Sequence, residues 1–449
     1  MRLKERFSVP ERAIRLLFWL FTLCCLIAAA CASDRAEMLA GLRRICTQSG
    51  QTVKSYFDPS YGGVSGTFLN MAVVGAVCAL VYCLPGAKPD GVSVLAYFLT
   101  LGFSTWGITV LNIWFCFPGV LLYCLFKKQR VGKQANAMLF VSGLAPLLTD
   151  LLFRYPFADW HGFTLQGVLL ALAVGALIGV LLPAGLAGSS KVLRGFSLYG
   201  AAVPIGVTAF FLRSLLYKVL GGYLPDSVGV GLQDSFWTQC HIFLFAVFGL
   251  SVVLGLALGG SFRSYWSLLK DSGHSVDYGK AYGVGTAIMN FGIYGLFIVL
   301  YYNLIGATFN AATFGCVFCM VCCCFKGSHP RNVWPIMAGY VLASLAAKGL
   351  CGLMGTEFSL AIHAQAIVIG LCFANGLSPI SGQYGWPFGI VAGAMHYVFV
   401  TCVPLLHGAY CLYNGGFTAA FVCLLLVPVL EHHCKTRAER RAPAKRNTK

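Results

Sequence analysis

Long apolar stretches separated by short polar or basic segments set the pattern of this chain. The apolar runs fall at about 16–32, 67–84, 91–126, 136–153, 164–187, 196–220, 238–260, 282–302, 308–325, 333–353, 357–375 and 409–430. A membrane-spanning helix needs roughly 20 apolar residues. Backbone in lipid must be helical or closed into a barrel, and continuous rather than alternating runs argue against barrel strands. The pattern therefore predicts an all-α, polytopic helical membrane protein. The run 91–126 lies between Lys88 and the cluster Lys127, Lys128, Arg130 and Lys133. It must leave and return on one side, turning at Gly102–Gly107. Two short helices in a re-entrant hairpin and two tilted full spans both satisfy that length.

The pattern also repeats. Residues 303–333 read as a second copy of 62–92, 241 positions later (303 against 62), with Thr67-Phe68 matching Thr308-Phe309 and Cys78, Cys83, Gly86, Pro89 and Val92 matching Cys319, Cys324, Gly327, Pro330 and Val333. Gly143-Leu144-Ala145-Pro146 returns as Gly376-Leu377-Ser378-Pro379, and Gly162-Phe163-Thr164 as Gly416-Phe417-Thr418. Collinear matches point to a direct duplication into two pseudo-symmetric halves. The expected division is an N-terminal helix and external segment (1–61), a first repeat (62–190), linking helices (191–302), a second repeat (303–432) and a basic tail (433–449). On this register both opening segments run from outside to inside, so the halves are expected to be parallel. A single crossing by 91–126 would make them inverted.

Charge refines the topology. The 449 residues are 58% hydrophobic and only 10% charged, against about 25% in a soluble domain, and the net charge of +17 sits in loops and tails. Basic loops mark the cytoplasmic side, which places both termini in the cytoplasm, within a multi-pass cytoplasmic (inner) membrane. No basic run is interleaved with aromatics as a nucleic-acid groove requires. The partners expected are the lipid bilayer and a small-molecule solute, not nucleic acid, with a homo-oligomer left open. The 20 cysteines lie mostly in apolar runs and read as packing residues.

Candidate chemistry is sparse. Pro146 and Pro379 break helices at corresponding places, and paired broken helices point to a transport site. The second half carries extra residues in Ser381–His407, rich in glycine. Gly143, Pro146, Gly376, Ser378, Pro379, Gly382, Gly385 and His396 are thus the candidate lining of a substrate path. Ionisable residues within spans are costly and are functional candidates. Glu357 and His363 are the proton-coupling candidates, against a polar turn at Gly355-Thr356-Glu357 and a histidine used only for packing. Lys348 reads as a snorkelling side chain. Asn70 with Thr67, and Asn310 with Thr308, read as helix caps. His432-His433-Cys434 has no nearby partner cluster, so no metal site and no cofactor is assigned. Phosphate-loop, zinc-protease and nucleophile-elbow motifs do not occur.

The paired Gly-Leu-Ser/Ala-Pro and Gly-Phe-Thr elements resemble those of a prokaryotic polytopic membrane family of unknown function, domain of unknown function 1576, whose members carry the domain twice. The resemblance covers about residues 60–430 and implies no activity or binding residues. Duplication with a glycine-rich asymmetric segment favours a transporter or channel-like permease for a small neutral or weakly charged solute, with proton coupling as an option. The alternatives are a membrane enzyme acting on a lipid-linked substrate, using Arg154, Asp159 and His161, and a non-transporting scaffold or sensor. An enzyme is the less favoured of these.

Overall fold

The computed structural model describes residues 9–48, 55–224 and 234–441. The basic residues Arg2, Lys4, Arg6, Lys445 and Arg446 lie outside the described residues. The described residues are helical, and ten of their helices are long and apolar enough to cross a membrane. Large apolar side chains such as Leu169, Phe210, Phe245, Leu345 and Leu425 are exposed on the outer faces. Apolar faces on helices of spanning length suit a bilayer.

The first half runs α1 (Pro10–Cys31), a short amphipathic α2 (Met38–Thr47), α3 (Gly63–Val81), α4 (Gly91–Phe103) and α5 (Ile113–Phe126). There follows an interrupted helix: a 3-10 turn at Val131–Gln134, α6 (Ala135–Phe140), a second 3-10 turn at Val141–Leu144, then α7 (Ala145–Phe153). The half ends with α8 (Leu165–Leu193) and α9 (Ala202–Ser214), which continues as a wider turn at Leu215–Val219.

The second half runs α10 (Trp237–Ala257), α11 (Phe262–Leu268), α12 (Tyr278–Ala281), α13 (Val284–Leu304), α14 (Ala311–Val321) and α15 (Pro330–Met354). Its interrupted helix is α16 (Gln365–Leu371), a 3-10 turn at Ala374–Leu377 and α17 (Ser378–Tyr384). It closes with α18 (Trp386–Val400), α19 (Val403–Leu406), α20 (Asn414–His433) and α21 (Arg437–Arg441).

Hydrogen bonds set the register of the duplication. Asn70 on α3 donates from Nδ2 to the carbonyls of Ser104 (2.7 Å) and Ile108 (2.9 Å). Asn290 on α13 donates to those of Cys324 (2.8 Å) and Ser328 (2.9 Å). Asn112 Nδ2 closes the same turn on the Gly107 carbonyl as Asn332 Nδ2 does on that of Gly327, at 2.9 and 2.7 Å. Gly107 and Gly327 have φ of 132° and 134°. Each of these pairs is 220 positions apart (290 against 70), not 241. The true counterpart of α3 is α13, that of α4 is α14, and that of α5 is α15. Residues 303–333 therefore do not correspond to 62–92. The Gly-Leu-Ala/Ser-Pro match holds: in both copies a 3-10 turn ends at leucine and proline follows as the second residue of a new helix. The Gly-Phe-Thr match does not, because Gly162 lies in a loop and Gly416 inside α20.

The halves are tandem in sequence but antiparallel in space. Helices α4 and α14 cross at Gly102 and Gly315, where a side chain on either would strike the other backbone. The start of α4 at Gly91 lies against Phe325 and Lys326, while beyond its end Thr105 Oγ1 donates to the Ala311 carbonyl at 2.7 Å. Equivalent helices thus run in opposite directions, an inverted rather than parallel arrangement. Each half also supplies a cap to the other: Ser55 Oγ accepts from the Ala311 amide (3.0 Å), and Asp277 Oδ2 accepts from the Gly91 amide (3.1 Å).

One end of the bundle gathers most of the basic residues. Arg15 donates to the Tyr82 and Ala87 carbonyls, Gly86 lies beside Arg130, Arg194 pairs with Glu431 at 2.7 Å, and Arg440 donates to the Tyr384 carbonyl. These contacts put the ends of the α4–α5 hairpin together, so 91–126 leaves and returns at the basic end. Residues Ser381–His407, expected to be an insert, contain α18 and α19. Helix α18 packs against α15 as α8 packs against α5, with Gly393 on Ile336 in one pair and Gly179 on Gly119 in the other.

Inversion predicts opposite sidedness for equivalent loops. In a cysteine-free background, Lys88→Cys and Thr308→Cys should react with an impermeant maleimide from opposite faces of sealed vesicles; labelling from one shared face would restore the parallel arrangement. Replacing Asn70 or Asn290 by Leu strands buried carbonyls and should lower unfolding stability in detergent by about 1–3 kcal/mol, with both variants affected alike.

Candidate functional site

The interrupted helices occupy the centre. Residues 131–153 and 365–384 are almost wholly buried although flanked by helices that face lipid. Their 3-10 turns lie where the two halves interlock. The Leu198 amide donates to the Gly376 carbonyl (3.0 Å), and the Leu412 amide donates to the Gly143 carbonyl (2.9 Å). Leu198-Tyr199 and Leu412-Tyr413 are themselves equivalent, 214 positions apart (413 against 199). Each half thus places a tyrosine on the broken helix of the other: Tyr199 covers Gly376 and Tyr413 covers Gly143.

The Tyr199 hydroxyl lies 2.7 Å from both the Cys319 carbonyl and Asn375 Oδ1. Asn375 Nδ2 donates to the Met320 carbonyl (2.6 Å) and to the Tyr294 hydroxyl (3.0 Å). These bonds engage the Asn375 side chain of the broken helix and the Cys319 and Met320 carbonyls of α14. Beside them Tyr199, Tyr413, Phe373 and Leu99 enclose a void of only about 10 Å³, at the lower limit for one water molecule.

A cavity of about 820 Å³ opens from the basic end toward that constriction. Its inner wall shares Leu95 and Ala201 with the small void. Ser189, Ser197, Ser275, Gln134 and Asn136 line its flanks, and Lys133, Arg194 and Lys326 line its mouth. At the opposite end the equivalent positions are filled. Trp106 stands for Lys326, Ser55 for Ser275, His407 for Leu193 and Cys411 for Ser197, and all four are buried. That end is also tied across the halves by a buried network. Arg154 Nε donates to Asp150 Oδ1 (2.6 Å), Arg154 Nη2 to the Tyr410 hydroxyl (2.7 Å), and the Tyr217 hydroxyl to Asp150 Oδ2 (2.6 Å).

The structure brings some expected residues together and separates others. Gly143, Pro146, Gly376, Ser378 and Pro379 sit at the central breaks, and Ser378 Oγ lies 3.1 Å from Ser328 Oγ. None of these five lines the cavity wall directly. Gly382 packs on the Ser272 carbonyl, and Gly385, with φ of 116°, turns α17 into α18. His396 is buried between α15 and α20, engaged by the Tyr340 hydroxyl and the Gly415 carbonyl (2.8 Å from Nε2). Glu357 and His363 are exposed in the loop joining α15 to α16, outside every helix. Asn310 caps α14, but Asn70 is a staple inside α3 rather than a cap. Asp159 and His161 are exposed while Arg154 turns inward, so the three do not converge. All 20 cysteines are free thiols. Sequence reasoning missed the cavity residues Lys133, Ser197 and Lys326; the repeated Leu-Tyr dipeptide was the available signal for that neighbourhood.

A methyl group at Gly376 would overlap the Tyr199 ring, and one at Gly143 would come 2.8 Å from the Tyr413 ring. Overpacking typically costs about 1–3 kcal/mol. Gly376→Ala should lower unfolding stability by that amount, and a Tyr199→Phe background, which keeps the ring, should not relieve it.

A family described as "Protein of unknown function (DUF1576)" matches residues 34–218 and 259–432. No curated protein and no solved structure matches the chain.

Proposed function

The chain belongs to that family of unknown function, and from this geometry we propose that it is a secondary transporter for a small solute, working by alternating access between its inverted halves. The observation that carries the reading is the inequality of two equivalent spaces. The one at the basic end is an open cavity; at the other, Ser55, Trp106, His407 and Cys411 stand buried at four of the equivalent positions. In an inverted repeat such a pair exchanges roles when the halves exchange conformations. The constriction at Tyr199, Tyr413 and Phe373 is the barrier, and the Asp150–Arg154–Tyr410 network is the lock at the closed end. The basic end faces the cytoplasm of a prokaryotic cell on the positive-inside rule, which puts the ends of both terminal helices there. The hairpins α4–α5 and α14–α15 are re-entrant elements whose tips stop beneath the segments that cover them, with Tyr56 Oη accepting from the Gly107 amide and Tyr278 Oη donating to the Gly327 carbonyl.

A channel would open both ends at once, and a scaffold would open neither. The test uses Ser197→Cys in a cysteine-free background and, separately, Cys411 as the sole remaining cysteine. Ser197→Cys should react from the basic side and Cys411 slowly from the other. Adding Arg154→Gln, which loosens the lock, should raise Cys411 reactivity at least threefold and lower that of Ser197→Cys. Reactivities that rise together, or a Cys411 that never reacts, would refute alternating access.

A further inference from the structure

We infer that the cavity at the basic end is a binding site for an organic anion, one acidic group joined to an apolar portion; this deepens the transport reading and names its solute class. The wall is divided by chemistry. Lys133, Arg194 and Lys326 stand at the mouth, and among the described residues no aspartate or glutamate lines the cavity. Arg194 already has Glu431 at 2.7 Å and Lys326 has the Asp277 carboxylate close by at Gly91, whereas Lys133 is exposed with no salt bridge among the described residues. Basic residues at a cytoplasmic end are ordinary. Basic residues around a concave wall free of acids are a focused positive field, which concentrates anions.

A second observation points to a ligand. The Ser197 hydroxyl is buried and has no hydrogen-bond partner, although it lines the cavity and its residue is only 7% exposed. A buried hydroxyl left unpaired costs free energy, and an acidic group entering past the lysines would accept from it. Farther in, Val92, Leu95, Phe140, Leu198 and Ala201 offer only apolar surface. An inorganic ion would leave that surface uncovered, and a neutral solute would leave the lysines unused. An acid with a short aliphatic portion satisfies both.

The acidic group could belong to a soluble metabolite or to a lipid headgroup, and the probes separate the two. The full chain in neutral detergent is unfolded thermally against hexanoate, hexyl phosphate, hexanamide and dihexanoyl-phosphatidylglycerol, each at matched ionic strength. Hexanoate or hexyl phosphate should raise the transition temperature saturably and hexanamide should not. Lys133→Glu should weaken the effect at least tenfold, with Lys133→Gln as the milder variant should the reversal not fold. Lys128→Glu, at the same end but outside the cavity, should change it less than twofold. If only the phosphatidylglycerol acts and does so with the same Lys133 dependence, the site holds and its ligand is a lipid headgroup. No saturable shift by any of these anions, an equal shift by hexanamide, or equal loss in Lys128→Glu would overturn the anion site. Binding requires no turnover, so the anion site and alternating access can fail separately: these titrations judge the first and the paired cysteine reactivities judge the second.

Discussion

Every backbone polar group inside a bilayer must find a partner within the protein, and among the described residues buried helices end or break at two matched pairs of places. The breaks after α4 and α14 are each held by one asparagine side chain reaching across from a neighbouring helix, Asn70 and Asn290. The breaks at Val141–Leu144 and Ala374–Leu377 are held by an amide from the other half, that of Leu412 and that of Leu198. The rest of the architecture follows from these debts. Because the second pair of breaks is completed only across the interface, neither half is saturated alone. The exchanged caps Ser55 and Asp277 extend the same rule to the ends of α14 and α4.

The same exchange explains why the centre is narrow while one end is wide. Tyr199 and Tyr413 are each fixed by the glycine they cover, so the rings converge near the pseudo-twofold axis and leave almost no space between them. Away from the axis the two ends are free to differ. At one end Arg154 and Asp150 draw α7, the end of α9 and the segment before α20 together. At the other the half-exposed Arg194–Glu431 pair and the His274 ring, 2.8 Å from the Arg194 carbonyl, span the corresponding gap, and such an exposed pair contributes about 1 kcal/mol or less.

Much of this was legible in the sequence, though not by the matches that first stand out. Helical class, the tandem duplication, the return of 91–126 and the proline breaks all follow from hydrophobic pattern and punctuation. The register does not follow from Thr-Phe or Gly-Phe-Thr, because small and aromatic residues recur by chance in apolar helices. The diagnostic signal was polar. Asn70 and Asn112, in apolar surroundings, recur as Asn290 and Asn332 with the same spacing, and Gly63-Val64, Gly107 and Trp114 recur at that offset as Gly283-Val284, Gly327 and Trp334. Asparagine in a span needs a reason, and a shared reason marks equivalent places. The loop that holds Glu357 and His363 was hard to read for the converse reason: the apolar residues around it hide it. The cavity was not legible, since Lys133 and Lys326 read as ordinary loop charges until the fold places them on one wall.

The inequality of the two ends also bears on how tightly each would hold a ligand. Exchanging conformations would open a space walled by Trp106, His407 and Cys411 in place of Lys326, Leu193 and Ser197. An organic anion would then meet lysines and a free serine hydroxyl in one state and an aromatic, largely uncharged wall in the other. A ligand shifts a conformational equilibrium only by its difference in affinity between the states. An anion that preferred the first wall would stabilise the form open to the basic end and be held less tightly in the other. Such a difference would set the affinity at each face, while the gradient alone would set the net direction of movement.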